Sequence, residues 1–187
     1  MIGDHVAEVS TGAIPTLVTI GIAVEVPEPW ASEIKAARLA AGDEKGLHTP
    51  THITLLGPTL VSHEGLARLH DRLLPALSEV KSFDVQLRGS DSFRPVTPVV
   101  FLRVDDGAAQ LAELADLVRT VLEAPEPKYD FHPHVTLGHE IPEGALDQLS
   151  AQFANFELDF RVADFRMYIH GSDGQWRLVH EYHLLEE

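Results

Sequence analysis

The sequence predicts an α+β fold with mostly antiparallel pairing, built on a duplicated unit that brings two strands face to face. Three observations lead there. Short segments alternate apolar and polar residues with period two, the mark of half-buried strands. Longer stretches between them carry leucines at helical spacing. And one four-residue device occurs twice, as His52-Ile53-Thr54-Leu55 and His134-Val135-Thr136-Leu137. Its surroundings echo as well: Leu47-His48-Thr49-Pro50-Thr51 leads into the first copy and Tyr129-Asp130-Phe131-His132-Pro133 into the second, with Gly57 and Gly138 following. In a strand, His52 and Thr54 share one face while Ile53 and Leu55 point to the other. The same holds for His134 and Thr136 against Val135 and Leu137.

Taken in order, the chain opens with a strand over 16–26, where Val18, Ile20, Ile22, Val24 and Val26 share a face. Its second face, with Leu17, Gly21 and Ala23, is apolar too, which makes it a central strand. Pro27-Glu28-Pro29 stops it, since proline cannot donate to a ladder. Trp30, Ile34 and Ala37 then mark a helix to Leu39, and a polar loop over 40–51 delivers the chain to the first device. Gly57-Pro58 is expected to end that strand. Ser62 is placed to cap a helix over 63–80 striped by Leu66, Leu69, Leu73 and Leu77, with Pro75 kinking or breaking it.

Phe83, Val85 and Leu87 alternate with Asp84, Gln86 and Arg88 in a strand. A loop through Phe93-Arg94-Pro95 and Pro98 joins it to a strand over 99–104, an antiparallel pair. A helix over 108–122 follows, stopped by Pro125 and Pro127 before the second device. Pro142 is expected in the first turn of a further helix that buries Leu146, Leu149 and Phe153. Strands are expected around Phe156 to Val162 and Phe165 to Ile169, and the last returns over 176–185 through a turn at Gly171–Gly174. The length fits one domain, or two small lobes sharing a cleft, with residues 1–11 loosely ordered.

The 187 residues suffice for a core, and 44% hydrophobic with 23% charged residues is ordinary for a globular protein. No apolar run is long enough for a membrane helix. The start of the chain lacks a cationic, apolar leader. Without cysteine there is no disulfide framework and no thiolate metal site. A cytoplasmic monomer is expected. The net charge of −15 and the scattered basic residues exclude a grip on long duplex nucleic acid. A nucleotide or an RNA terminus remains a fitting phosphate-bearing partner.

Two imidazoles and two hydroxyls suit phosphodiester chemistry. Such a reaction needs a base for the attacking hydroxyl or water, an acid for the leaving oxygen, and donors on the non-bridging oxygens. Histidine titrates near neutral pH, so one ring can be neutral while the other is charged. No carboxylate at a matching spacing completes a metal set with His48, His132 or His134, so neither metal nor cofactor is expected. His132 reads as a residue that orients its neighbour. Phe93, Phe131 and Tyr168 are candidates for an aromatic wall against a base. Arg103 and Arg166 are candidates to reach a phosphate, but as lone strand arginines they read first as surface ion pairs.

The two devices resemble the paired motifs of the 2H phosphoesterase superfamily, and most closely its 2′-5′ RNA ligase-like, 2′,3′-cyclic phosphodiesterase members. The resemblance implies a single domain over 1–187 of two pseudo-symmetric lobes, mostly antiparallel sheets facing across a central cleft with helices outside, and the opening of 2′,3′-cyclic phosphates or cleavage of 2′-5′ linkages. It gives His52 and His134 acid–base roles, with His134 as the base that activates water, and gives Thr54 and Thr136 phosphate-holding roles. The chain departs from relatives in two places. It runs Leu56-Gly57-Pro58 where they often carry a base-stacking aromatic residue, and His139 where they often carry Arg or Lys near the phosphate. With the acidic charge, these departures count against RNA ligation more than against phosphodiester cleavage. A non-catalytic module that binds nucleotides or RNA ends is the reading from another class.

Overall fold

The computed structural model describes residues 17–125 and 127–186; the expected loose N-terminus and Thr16 lie outside them. The elements are β1 (Leu17–Glu25), α1 (Trp30–Ala40), a 3-10 turn (Glu44–Leu47), β2 (His52–Ser62), α2 (His63–Ala76), β3 (Phe83–Ser92), β4 (Val99–Asp106), α3 (Ala108–Leu122), β5 (His134–His139), α4 (Glu143–Gln152), β6 (Glu157–Val162), β7 (Asp164–His170) and β8 (Trp176–His183). The expected elements are all present, and the fold is α+β.

The strands form one eight-stranded sheet in the order β6-β3-β4-β5-β2-β1-β7-β8. Every neighbouring pair is antiparallel. The order is a mirror about its middle. Each half centres on a strand, helix, device strand and helix in sequence: β1-α1-β2-α2 on one side and β4-α3-β5-α4 on the other. The halves meet where Ile53 pairs with Val135. α3 packs against β2 and α1 against β5, so each half's first helix reaches across the joint. Ile53, Leu55, Val135 and Leu137 are buried with Leu69, Leu111 and Leu146 in one core. No helix among the described residues is long and apolar enough to cross a membrane.

β2 does not end at Gly57-Pro58 but continues to Ser62. Across from it, Ile20 pairs with Thr59 and Ile22 with Leu56, so Gly57 and Pro58 together face Gly21 in a bulge. A proline is tolerated there because the ladder is already interrupted. Ser62 caps α2, its hydroxyl oxygen accepting from Gly65 N–H at 3.0 Å. α2 stops at Ala76, one residue past Pro75, earlier than the leucine stripe suggests. Pro142 sits at the cap of α4 in an extended conformation rather than inside its first turn.

Candidate active site

The single Ile53–Val135 pair fixes the arrangement of both devices. In an antiparallel register it sets Thr54 across from His134 and His52 across from Thr136. Since Ile53 and Val135 are buried on the helix side, all four polar side chains lie on the opposite face. Two stretches far apart in the chain thus become one cluster.

Both rings are locked in the same way. His52 Nδ1 lies 2.7 Å from the Pro50 carbonyl oxygen, and His134 Nδ1 lies 2.7 Å from the His132 carbonyl oxygen. A carbonyl only accepts, so each Nδ1 carries the hydrogen, and in the neutral ring Nε2 holds the lone pair. Thr54 Oγ1 is 3.1 Å from His52 Nε2 and donates to it. The strand leading to His52 is itself pinned, by Thr51 Oγ1 donating to the Ala31 carbonyl at 2.9 Å and Val26 N–H donating to the Thr51 carbonyl at 3.0 Å.

Burial pushes both imidazoles below their ordinary value of 6.5. The backbone carbonyl at each Nδ1 opposes that shift. Around His52, Arg38 adds to the lowering and Glu25, its partner across β1, counters it. Around His134 the added lowering comes from His132 and from His52 itself, so the two catalytic candidates feel each other's charge. Both directions favour the neutral ring near neutral pH, where sequence reading alone expects one neutral and one charged.

Two cavities flank the cluster and share Thr54, Leu56 and Gly57. The smaller, about 190 Å³, is lined by His52, Tyr168 and Trp176. The larger, about 560 Å³, is lined by His134, Phe93, Tyr129, Phe131 and His132. Phe93 stacks on Phe101 at 4.2 Å between centroids, and the His134 ring stands at 89° to Phe93 at 4.9 Å. A further cavity beyond Thr51 contains neither device histidine.

His52, Thr54, His134 and Thr136 thus come together, with Phe93 and Phe131 on one side and Tyr168 on the other. Tyr168 donates its hydroxyl to Glu25, and burial and that carboxylate push its pKa up. His139 is apart: it lies at the far end of β5, lines neither cavity, and faces Glu140 at 3.7 Å. Sequence reasoning did not single out Trp176 or Phe101. Gly21 was the available signal for Trp176: a glycine inside a strand marks close approach, and a Cβ there would lie 3.1 Å from the indole.

A family model described as the 2′-5′ RNA ligase superfamily matches residues 26–174. The chain belongs to that superfamily, the 2H phosphoesterases. A protein of Geobacillus kaustophilus named as a phosphoesterase is 26% identical over 131 residues, which is 68% of this chain and 74% of that one. An Aeropyrum pernix protein named RNA 2′,3′-cyclic phosphodiesterase is 40% identical over 92 residues, 46% of this chain and 51% of that one. The fold matches Escherichia coli LigT in complex with 3′-AMP, with a TM-score of 0.65 and 19% identity over 90% of this chain and 99% of that one. A Thermus thermophilus protein matches with a TM-score of 0.64 and 20% identity over the same shares.

Proposed function

We propose that this superfamily member is a metal-independent phosphodiesterase that opens 2′,3′-cyclic phosphates of nucleotides or RNA ends. One observation carries the reading. Two imidazoles, each held by a carbonyl at Nδ1, stand on the same face of adjoining strands, so each Nε2 is the nitrogen left for chemistry. His134 Nε2 takes a proton from water as its oxygen attacks phosphorus. The bond from phosphorus to one ribose oxygen breaks, and that oxygen receives a proton from His52 Nε2–H, leaving a nucleoside monophosphate. The base role of His134 is the one that the family resemblance implies, which leaves the acid role to His52; beside His52, Glu25 favours the imidazolium while Arg38 and burial oppose it. Thr54 and Thr136 donate to the non-bridging oxygens, and the cavities hold the nucleoside. Phe93, Phe131 and Tyr168 are its aromatic walls, joined by Trp176.

One cation-capable cluster among the described residues, Asp164, Glu181 and His183, lines neither of the two cavities beside the devices. Arg166 pairs with its carboxylates, Nε lying 2.9 Å from Glu181 and 3.6 Å from Asp164. The paired cavities favour a second reading, the same chemistry on a 2′-5′ linkage with a nucleoside on each side.

The test is to incubate purified protein with 2′,3′-cyclic nucleotides in chelator and resolve the products. Turnover should survive chelation and fall by about 10²–10⁴-fold in each of His52→Ala and His134→Ala. Binding without turnover would instead indicate the non-catalytic module. Activity that returns only with added zinc would overturn the paired-histidine scheme.

A further inference from the structure

Arg103 was expected to be tied up in a surface ion pair, and it is not. It forms no ion pair with any described residue, in contrast to Arg88 on the neighbouring β3 and Arg94 in the loop before β4. On β4 it lies directly across from His134, so it projects from the face that carries the devices, and it is exposed. Across the middle of the sheet, the mirror-related place beside His52 holds Glu25. The two halves thus repeat the histidine and threonine but carry opposite charges next to them.

The position of that cation is built. Leu87 pairs with Val104 and Ser90 with Leu102, which leaves Arg88 and Gly89 together opposite Arg103 in a bulge. Bulges beside active sites re-aim side chains. Here the bulge turns the Arg88 carbonyl toward Arg103, whose Nε donates to it at 3.1 Å. Gly89 makes the bulge possible: its φ is +62°, and a Cβ there would come within 2.8 Å of the Ala154 carbonyl oxygen. The remaining nitrogens of the guanidinium are left to solvent.

Direction decides what they meet. β3 lies on the side of β4 away from β5. Anchoring Nε on β3 draws the guanidinium off the histidines, by roughly one to two strand spacings of about 4.8 Å. That is too far for the phosphate held between His52 and His134. We infer that Arg103 binds the next phosphate along the substrate, so that the natural substrate is an oligonucleotide end with at least one phosphodiester beyond the reacting group. The inference rests on the phosphodiesterase reading and narrows it from nucleotides to RNA termini. It also answers how a chain of net charge −15 holds a polyanion: with one local, pre-positioned cation rather than a basic stripe.

The experiment compares a 2′,3′-cyclic mononucleotide with a dinucleotide ending in a 2′,3′-cyclic phosphate, using wild type, Arg103→Ala and Arg103→Lys. Wild type should prefer the dinucleotide in kcat/KM by roughly tenfold or more, the worth of one hydrogen-bonded charge. Arg103→Ala should lose that preference through KM while turning over the mononucleotide as wild type does, and Arg103→Lys should keep part of it. The slope of log KM for the dinucleotide against log salt should differ between wild type and Arg103→Ala by about 0.7, one single-strand phosphate contact. Equal losses on both substrates would place Arg103 on the reacting phosphate and overturn the inference, as would no loss on either. Wild type inert toward both substrates would sink the phosphodiesterase reading itself, and this inference with it.

Discussion

The carbonyl oxygens of Pro50 and His132 decide what His52 and His134 can do, because each fixes which ring nitrogen carries the hydrogen. The pH dependence follows from the same rings. In the free protein, burial lowers both below 6.5, so the neutral forms are favoured and the one imidazolium the reaction needs is scarce near neutral pH. The sign reverses with substrate: an anionic phosphodiester beside the rings favours the charged form. Thus kcat/KM, which reports the free protein, should peak on the acid side of 6.5 and decline as pH rises. The kcat profile should sit at higher pH than the kcat/KM profile. Coincident profiles would show that the phosphate does not charge the ring. The histidine–threonine spacing was legible in the sequence because period two is a property of any strand. The carbonyl locks were not, since a backbone acceptor leaves no trace in residue identity. Nor was Trp176, whose partner at Gly21 appears only as a missing side chain.

Among the elements, α2 shows a local signal that survives folding unchanged. Ser62 precedes the leucine stripe, and its side chain accepts from Gly65 N–H. Ser62→Ala should therefore cost about 1 kcal/mol in urea unfolding with kcat unaltered, because α2 lies on the helix side of the sheet, away from the devices. An unchanged midpoint would mean that the cap is replaced by water at no cost. β2 shows the opposite behaviour. Gly57-Pro58 is a breaker pair by propensity, yet the strand runs on to Ser62 because β1 supplies a partner on both sides of the bulge. Pairing with a distant segment overrode the local preference, and that segment cannot be read from the dipeptide. Pro75 illustrates an intermediate case: α2 includes it and stops one residue later, at Ala76, so a proline tolerated inside the last turn still marks where the helix ends. Strand and helix identities were thus set by periodicity, and the ends by contacts.

For the molecule as a whole, the duplicated order matters less than the seam at its centre. Each half carries one device histidine and one device threonine, so the base and the acid of the proposed reaction come from different halves. Their alignment rests on Ile53 opposite Val135, both fully buried, with α1 and α3 packed across the join. A cavity at the seam should therefore do two things at once. Ile53→Ala is expected to lose about 2–5 kcal/mol of stability, the usual cost of truncating a buried aliphatic side chain. Leu111, equally buried on α3, should cost a similar amount on truncation to alanine. The two variants should part in activity. Measured well below both unfolding midpoints, Leu111→Ala should keep the wild-type kcat per folded molecule, whereas Ile53→Ala should lose roughly 10²-fold, because small displacements of reacting groups are that costly. Equal activity in the two would show that the helices alone hold the imidazoles in register, and that the strand pair between the halves is dispensable for catalysis.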